Sequence, residues 1–465
     1  MHSPNAPTIP AVLLFGAGDR GRVYTDWILR HPGRLRVVGV AEPDGIRREY
    51  IRKAHRLPDR ACFSDWPEAF AADLSADAVI VSTQDQLHTG PAVSSLGQGL
   101  HILLEKPMAP ARQEVLAIAD AAAGAAGSLT VCHVLRYSSF FNAVKGIVAG
   151  DALGDIQSIY LAENVSYYHF AHSYVRGNWS NSDTSSPLIL AKSCHDLDIL
   201  CWIANSAPVL VSSTAGQGHF TATNAPSGAP TRCSDGCPVA STCLYEAEHT
   251  YLHGVPLKTA VGRGSGPLAL AARLGVAHSR LAARLPGLSR YAVWKEWPTS
   301  TITTSLTTDG IRTALRDGPY GRCVYRCDNN QPDHQDTIIT FANGITATFR
   351  LHGRSHEEGR TLRIDGSKAT LRGKFGSGTV LELHPHGSMK TVKVPVKGDV
   401  LGHSEADDGL MEAWSMMVSS ADDKRPVTDE CLSTDGATSL ASHLLAFAAH
   451  ESAVTGRTQD VTTDS

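Results

Sequence analysis

Two stretches of this chain carry residue types that do chemistry when brought together. The first is Gly16-Ala17-Gly18-Asp19-Arg20-Gly21, a G-x-G-x-x-G turn between the apolar run Ala11–Phe15 and a helical pattern from Arg22 to Leu29. In such a turn the first glycine bends the chain, the second lets backbone approach a pyrophosphate, and the third packs helix on strand. The helix N-terminus adds free N–H groups for the phosphates. Glu42 closes a second strand, Leu35–Glu42, about 20 residues further on, where a carboxylate bonds an adenosine ribose. An acid there disfavours a 2′-phosphate, so NAD is preferred over NADP, although Arg47 and Arg48 lie close by. The second stretch is Lys192-Ser193-Cys194-His195-Asp196-Leu197-Asp198, read as the start of a helix. His195 and Asp198, three apart, share a helical face, so the carboxylate can orient the imidazole and fix its tautomer.

Other stretches leave two readings open. Tyr167 to Trp179, with His169, His172, Arg176, Asn178 and Trp179, holds aromatic faces and polar groups suited to a sugar. Its alternative is a loop whose aromatics pack a domain interface. Cys233, Cys237 and Cys243, with Cys323 or Cys327, would supply four thiolates for a tetrahedral zinc. Buried free thiols are the alternative there, and an iron–sulfur cluster a third reading.

Elements that could position these groups emerge from periodicity. Strand patterns at Asp77–Thr83, Leu100–Pro107 and Leu129–Leu135 alternate with helical ones at Pro91–Gly97 and Arg112–Ala123. Such alternation means a doubly wound parallel sheet, with ligands at the carboxyl ends of its strands. Gly16, Glu42, Thr83 and Lys106 all stand at those ends. From Asp336 the period becomes two, and Thr337–Phe341, Asn343-Gly344 and Ile345–Phe349 predict a hairpin. Further strands are expected at Thr361–Leu371 and Thr379–Val394, and a helix at Gly409–Ser420, preceded by His403 and Asp407. A last helix is expected at Leu440–His450, and Pro267 to Arg290 reads as an amphipathic helical stretch.

Composition excludes other classes. A net charge of −4 over 465 residues, 19% charged and 42% hydrophobic, gives no support for nucleic-acid binding. No apolar run has membrane-spanning length, and the polar N-terminus is no signal peptide, so a cytoplasmic protein is expected. There, thiols stay reduced, and clustered cysteines point to metal before disulfides.

The Gly16–Gly21 turn, Ser82-Thr83 with His88, and Glu105-Lys106-Pro107 resemble the sugar and polyol dehydrogenases of the Gfo/Idh/MocA family. That resemblance extends over most of the chain, through Arg136-Tyr137 at the crossover and the helix bearing His195. It implies α/β architecture: an N-terminal Rossmann domain over 8–136 and a C-terminal α+β domain over 137–455. The second domain would carry a large open, mainly antiparallel sheet; the residues themselves read as a cysteine-containing insertion at about 207–330 and a polar tail at 456–465. Implied cofactor contacts are Gly16, Gly18, Asp19, Arg20, Gly21, Glu42, Ser82, Thr83, His88, Glu105 and Lys106. Arg136 and Tyr137 would border the substrate, a carbohydrate, polyol or cyclitol, and the chain is expected to be a homo-oligomer. In the family a histidine at the His195 position acts with the Glu-Lys-Pro lysine, and usually comes four residues after an aspartate. Here that position is Ala191, with Lys192 beside it. The expected reaction is hydride transfer with Lys106, His195, Asp198 and Lys192 in catalytic roles. The alternatives are an NAD-dependent glycosidase working by transient oxidation, and a non-catalytic nucleotide sensor.

Overall fold

The computed structural model describes residues 9–264, 266–277, 293–376, 378–397, 404–423 and 434–461. Its first sheet is six-stranded and parallel: β1 (Ala11–Phe15), β2 (Arg36–Ala41), β3 (Cys62–Phe63), β4 (Ala78–Val81), β5 (His101–Leu104) and β6 (Leu129–Val131), in spatial order 3-2-1-4-5-6. Every residue of β1 is buried, because the strand pairs on both edges and is covered on both faces. Val12 and Leu14 face Trp27 and Ile28, while Leu13 and Phe15 face Ala92, Leu96, Val115 and Ile118.

The second sheet has nine strands: β7 (Ile156–Ser166), β8 (Pro208–Gly216), β9 (His334–Phe341), β10 (Thr346–Ser355), β11 (Gly359–Gly366), β12 (Ala369–Gly376), β13 (Val380–Pro385), β14 (Val392–Lys393) and β15 (Gln459–Asp460). Their order is 14-13-12-11-7-10-9-8-15, antiparallel except where β10 runs parallel to β7. The expected hairpin is present, with Thr340 opposite Thr346 and Gly344 at a φ of 85°. One face of this sheet is sealed by the helix Cys194–Ala204, whose Leu197, Ile199, Leu200 and Ile203 pack against Leu161, Phe349 and Leu362.

Three expected boundaries move. β8 belongs to the sheet, so the insertion begins after Gly216 rather than near 207. Within the expected tail, Gln459 and Asp460 pair with Val211 and Leu210 as the edge strand, and residues 462–465 lie outside the described residues. The helix Ser404–Asp423 returns to the first domain, where Leu410, Trp414 and Met417 pack on Val12 and Trp27. A linear division at 136 therefore misses one helix of the nucleotide-binding core. The amphipathic stretch gives a helix at Pro267–Ala277, and its remainder to Arg290 lies outside the described residues. Among the described residues no helix is long and apolar enough to cross a membrane.

Candidate functional site

The glycine turn comes directly after β1, and each glycine meets a different constraint. Gly16 adopts a φ of 88°, and a Cβ there would lie 2.6 Å from Ser82 O. At Gly21 a Cβ would lie 2.2 Å from Gly16 O, so helix and turn touch without room for a side chain. Gly18 is different: nothing lies within 4 Å of a Cβ built there, and no side chain caps the helix Asp19–Arg30 that it precedes. An open face above uncapped helix N–H groups is what a pyrophosphate needs. Asp19 stands exposed in the first turn.

Glu42 is buried, and its carboxylate accepts from Ala17 N at 2.6 Å and Asp44 N at 2.9 Å. Two backbone donors thus hold it at the turn, in the position from which an acid meets a ribose. Arg48 donates back to Glu42 O, which turns its charge away from that position. The Thr83 hydroxyl is buried and without a hydrogen-bond partner, an orphan suited to a cofactor hydroxyl or amide. These residues fit a dinucleotide.

Several other expected cofactor contacts instead build the frame. The Arg20 guanidinium donates to Glu105 Oε1 and Tyr24 OH, both at 2.6 Å, and to both oxygens of Asp407. Glu105 also accepts from Lys106 N, which fixes the turn carrying the lysine. Ser82 Oγ donates to Gly16 O, and fully buried His88 sits between Pro107 O and Thr83 O. Arg20, Glu105, Ser82 and His88 are therefore committed to protein partners. Asp407 faces Arg20 from the returning helix, while His403 lies outside the described residues.

Lys106 Nζ donates to Ala191 O at 2.9 Å, so the strand-end lysine reaches the main chain four residues before His195. Beyond Ala191 the chain is pinned by buried ion pairs. Lys192 lies 3.1 Å from Glu163 and 3.6 Å from Glu358. Asp196 receives Arg360 at 2.6 Å. Asp198 accepts two bonds of 2.6 Å from Arg136, whose side chain is 4% exposed. His195 is held among them, buried at the first turn of its helix, its ring edge-on to His133 at 5.6 Å.

This geometry corrects two expectations. Asp198 is gripped by the Arg136 fork, so the i, i+3 spacing does not make it the partner that orients His195. Arg136 in turn is buried in that pair rather than bordering a substrate. Tyr137 bonds Thr434 through its hydroxyl. Lys192 stays charged: burial pulls its ammonium down, but Glu163 and Glu358 outweigh this and hold it above the ordinary lysine range. A lysine so held is a fixed cation, not a base. Burial pushes the Glu163 carboxyl up to about 7, against Arg360 and Lys192.

The aromatic loop divides. His169, half-buried, lies with Nδ1 2.8 Å from Glu358 Oε1 and its ring 4.9 Å from Trp297. His172 is buried, bonds Tyr251 OH, and is pulled down to about 3, first by burial and then by His169 and Arg176. Arg176 donates inward to Arg322 O and Tyr245 O. Trp179 Nε1 donates to Asp85 across the domain boundary, and Asn178 is exposed. For His172, Arg176 and Trp179 the packing reading therefore replaces the sugar-contact reading. Cys233, Cys237, Cys243 and Cys323 line one small cavity.

Residues 11–133 match the family described as oxidoreductase family, NAD-binding Rossmann fold. That segment, about a quarter of the chain, is what matches the Gfo/Idh/MocA family model. Among curated relatives, the chain is 27% identical over 198 residues to an inositol 2-dehydrogenase of Corynebacterium glutamicum, covering 42% of this chain and 54% of that protein. It is 28% identical over 156 residues to a 1,5-anhydro-D-fructose reductase of Ensifer adhaerens, covering 32% and 45%. The chain thus spans about half the length of the curated relatives it matches. An inositol dehydrogenase homologue from Azotobacter vinelandii, solved with NADH and myo-inositol, superposes with a TM-score of 0.60 at 13% identity, over 97% of this chain and 98% of that one. The fold is therefore shared over 97% of the chain.

Sequence reading missed Glu163, Arg360 and Glu358. A signal existed for the first two. On β7, Glu163 has the parity of Ile159, Leu161 and Val165, and on β11 Arg360 has that of Leu362 and Ile364. Charges on the core-facing side of a strand must be paired or functional. His133, fully buried with neither ring nitrogen hydrogen-bonded, was also missed, and gave no such signal.

Proposed function

We propose that the chain is an NAD-dependent oxidoreductase acting on a polyol, cyclitol or sugar, with hydride moving between a carbinol carbon and nicotinamide. The observation that carries this reading is the Lys106–Ala191 hydrogen bond. It joins the edge of the sheet that holds the glycine turn to the helix start that holds His195. The bound nicotinamide supplies the hydride acceptor, and the rest is positioning and proton movement by the chain.

His195 takes the proton of the reacting hydroxyl, a role worth roughly 10²–10⁴ in rate. Lys106 is hydrogen-bonded to a neutral carbonyl, so its charge is available to the developing alkoxide. Lys192, Glu358 and His169 offer further hydrogen-bonding groups to a polyhydroxylated substrate. NAD is the preferred cofactor because Glu42 is fixed at the ribose position and Arg48 is turned back onto the main chain.

A panel of inositols, linear polyols, free sugars and glycosides, incubated with NAD or NADP, tests this reading through both cofactor absorbance and products. NADH formation with a polyol or sugar is the expected outcome. Aglycone release with no net NADH contradicts it in favour of glycoside cleavage. Intact NAD binding with no turnover across the panel contradicts it in favour of a sensor.

A further inference from the structure

We propose that Cys233, Cys237, Cys243 and Cys323 hold one metal ion, zinc by the character of its ligands, which staples the insertion after β8 onto the second domain. Two observations converge on it. The backbone pairs Arg232 with Arg322, with Cys233 N bonded to Gly321 O and Cys323 N to Thr231 O. Two cysteines about ninety residues apart in sequence are thereby brought side by side. All four thiols line a cavity of about 20 Å³, room for one water-sized occupant.

The second observation is Arg176. Its buried guanidinium has as partners the carbonyls of Arg322 and Tyr245, Cys233 Sγ at 3.5 Å and Tyr251. None of these is a carboxylate, and Glu246, which also lines the cavity, accepts from His249 N. A buried cation needs a counter-charge, and four thiolates on a divalent ion carry a net charge of −2.

Among the described residues no group of three or more His, Cys, Asp or Glu side chains is arranged to hold a metal as it stands. Binding therefore turns the thiols inward on a backbone already in place. It releases their protons to solvent and forms four metal–sulfur bonds with no change of oxidation state. Cys327 is set apart, because its thiol donates to Cys323 O and is not in the cavity lining. The staple bears on the site, since the same insertion carries Trp297 against His169.

Metal analysis of the full chain, purified without chelator, tests the proposal independently of any activity. One zinc per chain is expected, released to a chromogenic dye as four thiols are titrated with a mercurial reagent. Cys323→Ser should lose at least nine-tenths of the zinc, and Cys327→Ser should keep all of it. Absence of stoichiometric metal, an iron–sulfur chromophore, or zinc retained by Cys323→Ser would overturn the proposal. If Cys323→Ser fails to fold, the titration of the unmodified protein decides alone.

Discussion

The two sides of the candidate site meet at Lys106 and are built by opposite means. On the cofactor side, backbone does the work: glycines that admit no side chain, uncapped helix N–H groups, and a carboxylate held by two main-chain donors. On the His195 side, side chains do it, through buried pairs linking residues far apart in sequence, Arg136 to Asp198, Arg360 to Asp196 and Lys192 to Glu163. The first kind of site tolerates surface change and fails on added bulk. The second kind fails when one member of a pair is removed.

Removing Asp198 should show this contrast most strongly. Asp198→Ala takes the carboxylate from the buried Arg136 cation, which costs about 3–5 kcal/mol by urea denaturation. If instead stability holds and only kcat falls, Asp198 acts on His195 and the pairing account is wrong.

Acid should weaken the fold through the same interior. Burial holds His172 and His443 at about 3, below an unfolded value of roughly 6.5. Between those values the unfolded chain binds more protons than the folded one, so stability falls as pH drops from about 6.5. Each histidine contributes up to about 1.4 kcal/mol per pH unit. Glu163 has the opposite sign: raised to about 7, it takes a proton in the folded state first and offsets one histidine above its unfolded value. A urea midpoint that stays level or rises from pH 7 to pH 5 would contradict this balance.

The cofactor side should respond to bulk without losing stability. Gly18→Ala meets no protein atom, so its melting temperature should be unchanged while NAD affinity falls about tenfold, roughly 1.4 kcal/mol. Unaltered affinity would mean that the dinucleotide does not pass over Gly18. Glu42→Ala should have the smallest effect, a severalfold loss of discrimination against NADP in paired titrations. A wild type that already prefers NADP would refute the ribose assignment.

Legibility from sequence divides along the same line. Gly16, Gly18, Gly21 and Glu42 could be read because strand, turn and helix are coded within a few residues and leave a fixed spacing. The nine-stranded sheet was legible in its hairpin, where Asn343-Gly344 sets the register. Pairing at long range could not be read. Asp198 reads as a partner for His195 from helical spacing alone, and only the fold brings Arg136, 62 residues away, onto it. Arg20 meets Asp407 across 387 residues, which is also why the return of the helix Ser404–Asp423 to the first domain was missed.

The central claim is that Lys106 serves the reacting hydroxyl and not the cofactor's affinity. Once a substrate is in hand, Lys106→Ala measured for both kcat and NAD Kd tests it directly. The account predicts a loss in kcat of at least about a hundredfold, roughly 2.7 kcal/mol, with Kd within a factor of about three. An unchanged kcat, or a loss confined to NAD binding, would contradict it.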